Sequence, residues 1–354
     1  MIGKEDKLKN KICIIGAFDF VNLPTGGQPV KSRELYYALQ NIYGHENVIY
    51  VETYGWKKHP LKMLLKIEKY ARKSKAIIML PAHHGVEIFS RILAFYKIHR
   101  GSKIFYDVIG GWLPDKTARN PCLLKKLKVF DGIWVETSSM KNALELQGLN
   151  NVCVLPNFKK LDILSECELK FDISYPLKIC TFSRVTKQKG IEEAIKAVRH
   201  LNEEFEKEVY HLDIYGQIDD EYREEFEKLT KLYDQEITYC GVVEPNKSVD
   251  TIKEYFALLF PTLFYTEGLP GTIIDAYASG VPIITSLWKN ANDIFIENIT
   301  GWGYEFGNRE GLISLLRKAA MSPDEFLKMK SSALNMAKKY HPDTVMKLIE
   351  SLIG

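Results

Sequence analysis

Residues 261–282, with the sequence PTLFYTEGLPGTIIDAYASGVP, join a short apolar strand to a helix through a glycine-rich turn. The helix is predicted to begin near Pro270. Free backbone N–H groups near Gly271 and Thr272 would then point at an anion. Glu267 precedes the helix, and Asp275 lies four residues after Gly271 on the same face, so two carboxylates flank the helix end. They would accept hydrogen bonds from the hydroxyls of a sugar or a ribose, although a capping acid and a solvated aspartate would give the same pattern.

Outward from this segment, short β-branched runs alternate with amphipathic segments along the chain. In the first half the predicted strands are Lys11–Gly16, Val48–Glu52, Ala76–Leu80, Lys103–Asp107, Gly132–Glu136 and Asn151–Leu155. The predicted helices there are Lys31–Ile42, Leu61–Lys73, Val86–Ile98, Cys122–Lys128 and Ser138–Leu146. Apolar strands separated by helices predict a parallel, doubly wound sheet.

The alternation restarts after an irregular polar stretch from Asn157 to Pro176, which we interpret as an interdomain linker. The predicted strands of the second half are Leu177–Phe182, Tyr210–Tyr215, Ile237–Cys240, Ala257–Phe260 and Val281–Thr285. The predicted helices are Ile191–Glu206, Glu221–Tyr233, Gly271–Ser279 and two closing helices, one opening at Ser322 and the other near Pro342. The fold class is therefore α/β, with two Rossmann-like domains facing a central cleft, where ligands usually bind.

Composition excludes several classes of protein. Of 354 residues, 46% are hydrophobic and 26% charged, which excludes global disorder. The longest apolar run, residues 255–265, has 11 residues, whereas a bilayer span needs ~20. The charged first residues contain no signal-peptide pattern. Six scattered cysteines without a CxxC pair argue against a disulfide framework and a zinc site, and they favour a cytoplasmic location.

Charge is divided unevenly along the chain. Residues 1–160 contain 26 Lys and Arg against 13 Asp and Glu, whereas the remainder contains 22 basic and 32 acidic residues. The basic half could face anionic lipid, nucleic acid or a phosphorylated acceptor. Its basic clusters, each accompanied by leucines, lie at residues 57–73 and 123–128 and suggest contact with an anionic membrane, although a solvated helix face gives the same pattern. No aromatic-rich stacking surface points to nucleic acid.

Two further segments have the composition of phosphate-binding turns. The G-x-G-x-x-G fingerprint of dinucleotide-binding enzymes is absent after the first strand, but Gly26 and Gly27 stand just before a helix, where backbone can approach a ligand closely. Arg184 and Lys189 lie between the first strand and first helix of the second domain, at the sheet edge where ligands bind. Both cations suit phosphate. A flexible loop and a solvated basic loop are the alternative interpretations.

Taken in order, the Gly26-Gly27 loop, the S-R-x(4)-K-G element at 183–190 and the two acids Glu267 and Asp275, separated by seven residues, resemble the retaining glycosyltransferases of family 4. The resemblance covers nearly the whole chain. It implies the GT-B fold, with an acceptor-side domain at 1–165, a nucleotide-sugar-binding domain at 176–340 and a last helix at 341–354 that packs back on the first domain. The segment VIGGWLP, residues 108–114, is similar to members that build bacterial capsular or extracellular polysaccharides.

The resemblance also implies roles for individual residues. Arg184 and Lys189 would hold the donor diphosphate and stabilise the leaving group, because preorganised charge is often the largest catalytic contribution. Glu267 would contact the donor sugar, and Asp275 the ribose. The other implied donor-binding positions are Gly26, Gly27, Gly268, Leu269, Gly271 and Thr272. No metal site is needed, and the Asp219-Asp220 pair is interpreted as helix capping.

Two features depart from the family pattern. Asp275 replaces the usual glutamate and is shorter by one methylene group. Many relatives carry a histidine near the end of the fourth strand, where this chain has Tyr106 and Asp107. Either of these could substitute, or the role could be absent. His83 and His84, after the third strand, are alternative acceptor-side candidates, although a structural role is the favoured interpretation for each.

The sequence therefore predicts a metal-independent enzyme that moves a sugar, most often from a UDP-sugar, to a glycan acceptor with retention of configuration. The acceptor is expected to be lipid-linked, the role is in polysaccharide biosynthesis, and the location is the cytoplasm, peripheral on the inner face of the membrane. Two alternatives remain open: a nucleotide-sugar 2-epimerase with the same fold, and a non-catalytic nucleotide-binding protein.

Overall fold

The structure is a computed structural model that divides into two compact units. It describes residues 10–22, 27–83, 85–159, 162–233 and 235–354. The first unit contains the described residues up to Lys159 together with Pro342–Gly354, and the second contains those that follow up to His341.

The first unit is built on a six-stranded, fully parallel sheet with the order β2-β1-β3-β4-β5-β6. Its strands are β1 (Lys11–Gly16), β2 (Val48–Glu52), β3 (Ser74–Met79), β4 (Lys103–Asp107), β5 (Gly132–Val135) and β6 (Val152–Val154). Its helices are α1 (Gly27–Tyr43), α2 (Pro60–Ala71), α3 (Val86–Arg100), α4 (Leu113–Arg119), α5 (Pro121–Leu127) and α6 (Ser138–Leu146). The apolar strands are buried on both faces, as the parallel arrangement requires.

Two apolar cores cover the two faces of this sheet. Helices α2, α3, α5 and α6 supply one core, to which Ile67 and Phe89 contribute. The other core receives Leu39 from α1 and Ile349 from the helix Pro342–Ile353, which lies far along the chain. Lys103 fastens the end of that helix, because its Nζ donates to the carbonyl oxygens of residues 353 and 354 at 2.9 and 2.8 Å.

The second unit repeats this plan with a parallel sheet of order β12-β11-β10-β7-β8-β9. Its strands are β7 (Leu177–Phe182), β8 (Tyr210–Tyr215), β9 (Ile237–Gly241), β10 (Ala257–Phe260), β11 (Ile283–Leu287) and β12 (Gly301–Glu305). Its helices are α7 (Ile191–Glu204), α8 (Arg223–Leu232), α9 (Ser248–Ile252), α10 (Gly271–Ala278), α11 (Arg309–Met321), α12 (Pro323–Leu327) and α13 (Lys330–Ala337). The helix Pro342–Ile353 is therefore α14.

The prediction of two parallel doubly wound sheets is confirmed, but it omitted several elements. Strand β12 and helices α4, α9 and α11 were not predicted, and four helices rather than two follow β12. The stretch interpreted as a linker lies against the second unit where it is described, since Leu164 N donates to Ala278 O at 2.9 Å. No helix within the described part of the chain combines the length and apolar character needed to cross a membrane.

Candidate active site

The second unit brings two turns together at the carboxyl edge of its sheet. After β7 the chain makes a 3-10 turn at Lys187–Lys189, and this turn packs against the end of β10, where Leu263 N donates to Gln188 O at 2.8 Å. Gly190 permits the close approach: its φ is +69°, and a Cβ there would lie 1.8 Å from the carbonyl oxygen of Pro261. The S-R-x(4)-K-G element and the E-G-L-P-G turn are therefore neighbours in space.

Lys189 and Glu267 form an ion pair at this junction, with side chains only 18% and 12% exposed. The Lys189 ammonium also lies 5.4 Å from the centroid of the Phe260 ring. Asn290 fixes the backbone of the acid, because its Nδ2 donates to Glu267 O at 2.7 Å. At this degree of burial the two charges are screened less than they would be in bulk water. Both groups can therefore interact strongly with a charged or polar ligand that separates them.

The start of α10 has unused hydrogen-bonding capacity next to this pair. Pro270 precedes the helix in an extended conformation, and no side chain caps the first turn. A Cβ on Gly271 would have no atom within 4 Å, so there is open space in front of the helix. The buried Oγ1 of Thr272 has no hydrogen-bond partner among the described residues. An anionic ligand could use the helix dipole, the free N–H groups and this hydroxyl.

Three other predicted donor-binding residues of this segment are buried. Asp275 is 3% exposed and accepts a hydrogen bond from Ser248 Oγ at 3.0 Å, so the interpretation as a solvated aspartate is wrong. The side chain of Leu269 packs in the apolar core of the unit, and Gly268 is also buried. Whether Asp275 contacts a ribose stays a prediction.

Arg184 extends from the loop after β7 and is exposed. Within the part of the chain that the structure describes, no carboxylate lies within ion-pair distance of its guanidinium. The group is therefore available to a phosphate. Among the same described residues no cluster of His, Cys, Asp and Glu has the arrangement of a metal site.

The first unit holds the remaining candidates. Gly27 is the first residue of α1 and is exposed, whereas Gly26 and His84 lie outside the described residues. The hydroxyl of buried Tyr106 donates to Pro81 O at 3.0 Å, so it is committed to the fold. His83 is exposed, and its ring lies 4.9 Å from the ring of Trp112.

Asp107 belongs to a buried charged cluster that the sequence did not reveal. Lys31 Nζ lies 2.7 Å from Asp107 Oδ1 and 3.5 Å from Glu136 Oε1, and all three side chains are almost fully buried. Burial raises the pKa of Asp107 to about 6 despite the nearby ammonium. Burial alone would lower the pKa of Lys31, but the two carboxylates raise it above its ordinary value.

Comparison with known proteins agrees with this architecture. Residues 172–336 match the family described as glycosyl transferases group 1. A stretch of 157 residues is 26% identical to the amylovoran biosynthesis glycosyltransferase AmsK of Erwinia amylovora. The matched stretch covers 42% of this chain and 37% of that relative. The match therefore spans well under half the length of that curated relative.

Solved structures match nearly the whole length of the chain. The sucrose-phosphate synthase of Thermosynechococcus elongatus superposes with a TM-score of 0.76 and 14% identity, covering 97% of this chain and 98% of that one. Alr3699/HepE of Anabaena, solved in complex with UDP, gives 0.71 and 12%, covering 97% and 99%. The fold is thus the two-domain Rossmann-like GT-B fold, as predicted. Together with the family match, these likenesses support a GT-B glycosyltransferase.

Proposed function

We propose that this protein transfers a sugar from a UDP-sugar to a glycan acceptor. The observation that carries the proposal is the paired, partly buried Lys189 and Glu267 beside the uncapped start of α10. A nucleotide-sugar carries a diphosphate and sugar hydroxyls side by side, which match an ammonium and a carboxylate respectively. The complexes of Alr3699/HepE with UDP and with UDP-glucose support the choice of donor.

In this proposal the ion pair is opened by the donor. The diphosphate takes the Lys189 ammonium and the Arg184 guanidinium, which stabilise the negative charge on the departing UDP. The freed Glu267 carboxylate accepts hydrogen bonds from the donor sugar. No described side chain in this cluster is positioned as an activated covalent nucleophile, and retention by front-face attack, with a donor phosphate oxygen taking the acceptor proton, is the mechanism we propose.

The proposed acceptor is a growing, lipid-linked saccharide in the synthesis of a capsular or extracellular polysaccharide. The support is the VIGGWLP segment at 108–114 and the similarity to an amylovoran biosynthesis enzyme. Anomeric NMR of the product tests retention, since an α-linked donor should give an α-linked product. Conversion of the UDP-sugar to its 2-epimer without any acceptor would instead favour the epimerase.

The donor is tested first by thermal shift with UDP, GDP, dTDP, CMP and NAD and their common sugar conjugates. A ligand present at ~100 times its Kd should stabilise the protein by ~2.7 kcal/mol. We expect UDP and its sugars to raise Tm and the other nucleotides to have little effect. A shift with NAD alone, or with no nucleotide, would contradict the proposed donor site.

We also propose that the first unit contacts an anionic membrane through the segment Thr53–Ile67. This segment has no acidic residue, and four apolar side chains in it are solvent-exposed: Tyr54 at 63%, Leu61 at 75%, Leu65 at 72% and Leu64 at 37%. Its exposed lysines would each contribute ~1 kcal/mol near an anionic surface. Leucines inserted among lysines are typical of helices that lie at a lipid interface.

Packing supports one of the two basic clusters found in the sequence over the other as the proposed membrane contact. Leu123 and Leu127 are buried in the core and Leu124 is half-buried, so the cluster at 123–128 has no fully exposed leucine beside its lysines. Lys66 was predicted to lie on the basic face of helix α2, but its ammonium packs on aromatic rings instead. Its Nζ lies 5.1 Å from the centroid of the Tyr50 ring and 5.6 Å from the centroid of the Tyr70 ring.

Vesicle flotation tests the membrane proposal. Wild type should float with phosphatidylglycerol vesicles and not with phosphatidylcholine vesicles, and L61S/L65S should lose most of that binding. Leu232, on acidic α8 of the second unit, is 66% exposed and provides the matched control L232S. Equal flotation of wild type and L61S/L65S would show that the leucines do not enter the bilayer.

A further inference from the structure

The strongest unassigned feature is the cluster of three charged side chains inside the first unit. Lys31 comes from α1, Asp107 ends β4 and Glu136 directly follows β5. Two carboxylates against one ammonium leave a net charge of −1 in a place without solvent. Such an arrangement is weak evidence for stability, because removing charges from water is unfavourable unless each is fully satisfied.

The cluster is attached to the loop that follows β4. Lys31 Nζ donates to the carbonyl oxygen of Val108 at 3.4 Å, and Gly110 N donates to Glu136 Oε2 at 3.3 Å. Gly110 has a φ of +81°, a conformation that a residue with a side chain rarely adopts. The cluster therefore holds Val108 and Gly110, at the start of the loop, by its charged atoms.

The same loop carries an aromatic surface at the sheet edge. Trp112 Nε1 donates to Ile109 O at 2.8 Å, which fixes the indole, and the indole packs on the ring of His83. Lys116 holds that histidine by donating to its carbonyl oxygen at 2.8 Å. A movement of the loop would therefore move the indole and the edge on which His83 lies.

Asp107 is the member of the cluster that is least satisfied. Its Oδ2 is buried and has no hydrogen-bond partner among the described residues. The charged or titratable groups facing it are Lys31 from α1, Glu136 after β5 and Tyr106 on its own strand. A proton on Asp107 would leave one balanced pair, Lys31 with Glu136, and would change how tightly Val108 and Gly110 are held.

We infer that Lys31, Asp107 and Glu136 are positioning residues that set the loop Val108–Trp112, and that this loop with His83 forms an acceptor-side sugar platform. The assignment to the acceptor rests on the proposed function, whereas the control of the loop by the cluster does not. The ligand class is a saccharide, because an indole face with adjacent polar groups is suited to the apolar face and hydroxyls of a sugar ring.

The test follows the fluorescence of Trp112, taken as wild type minus W112F, between about pH 5 and about pH 8. The apo protein is used, so the outcome does not depend on donor or acceptor. We expect a transition with a midpoint of about 6, set by Asp107, that is lost in D107N. It should persist in H83Q, which controls for titration of the neighbouring imidazole.

E136Q gives a second, independent prediction should D107N fail to fold. Because the Glu136 carboxylate raises the pKa of Asp107, its removal should move the midpoint to lower pH. A transition that is absent in wild type, unchanged in D107N and E136Q, or lost only in H83Q would overturn the inference. The increase in Tm caused by UDP should be the same in these variants as in wild type. If UDP caused no increase in wild type, that result would count against the proposed function and not against the control of the loop.

Whether the platform binds sugar is tested by titrating D-glucose, as the probe, into wild type and W112F at pH ~7.5, above the transition expected for Asp107. A saturable change in intrinsic fluorescence that W112F lacks supports the saccharide assignment. An equal response in both proteins, or none in wild type, would overturn the saccharide assignment. The claim that the charged cluster sets the loop would still be decided by the pH experiment.

Discussion

The two units each use lysine and carboxylates at the carboxyl edge of a parallel sheet, but in opposite ways. In the second unit Lys189 and Glu267 are balanced in charge and partly exposed. In the first unit Lys31 faces two carboxylates and no solvent. A partly exposed, balanced pair can be opened by a ligand that supplies the missing partners, whereas a buried, unbalanced cluster responds to a proton. Under the two proposals above, the pair in the second unit binds a ligand and the cluster in the first unit positions a loop.

The largest expected effect is on folding of the first unit. K31M removes the ammonium that faces two buried carboxylates and should destabilise this unit by ~3–5 kcal/mol. K189M removes a lysine from the partly exposed pair and should lower the free energy of unfolding by ~1 kcal/mol or less. Urea denaturation of both variants checks the contrast, and equal losses would remove the distinction between the two clusters.

Turnover, unlike stability, should depend strongly on the partly exposed Lys189. K189A is expected to lower kcat by ~100-fold or more, because it removes the positive charge that we propose stabilises the departing UDP. Lys187 provides the matched control: it lies in the same turn, is exposed and pairs with Glu225 at 3.2 Å. K187A should keep kcat within ~2-fold of wild type. Unchanged kinetics in folded K189A would exclude this lysine from the mechanism.

A smaller effect is expected at the start of α10. T272V removes the unpartnered hydroxyl, so UDP affinity measured by calorimetry should fall ~5-fold, about the net value of one hydrogen bond, without loss of stability. Thr285 is the contrasting case, because its buried hydroxyl already donates to Phe260 O at 3.1 Å. T285V should lower stability and leave UDP binding unchanged. The reverse pattern would mean that Thr272 is structural.

The most gradual effect is a slope of stability against pH. Burial raises the pKa of Asp107 in the folded protein to about 6, so the folded state holds a proton that the unfolded state releases at lower pH. The stability associated with this group is therefore present at acid pH and is lost, by ~3 kcal/mol in total, as pH rises from about 4, the ordinary pKa of an aspartate, through about 6. Urea unfolding of wild type and D107N across this range should show the decline in wild type alone.

The sequence predicted the elements around the proposed donor site better than some of the shorter elements elsewhere. Strands β1, β7, β8 and β10 lie where their apolar runs indicated, and so do Lys189 and Glu267 at the ends of two of them. Strand β12 was missed because Gly301 and Gly303 weaken its β-pattern. Periodicity identifies long buried runs, and it is weak for a five-residue edge strand.

The charged cluster of the first unit shows what periodicity cannot supply. Lys31 looks like an ordinary helix surface lysine, and its partner Glu136 is 105 residues away in the sequence. Asp107 was noted only as a possible replacement for a missing histidine. Their proximity results from the order of strands in the sheet, which brings the ends of β4 and β5 side by side over α1. Such partners are found only once the chain is folded.

Helix α14 has a consequence for the order in which the molecule can assemble. Its buried residues Val345, Met346, Ile349 and Ile353 complete a core whose other members lie in the first 158 residues. On the ribosome the second unit is therefore synthesised before the helix that closes the first. Until that helix emerges, one apolar face of the first sheet lacks part of its cover, and the nascent first unit is a natural client for chaperones.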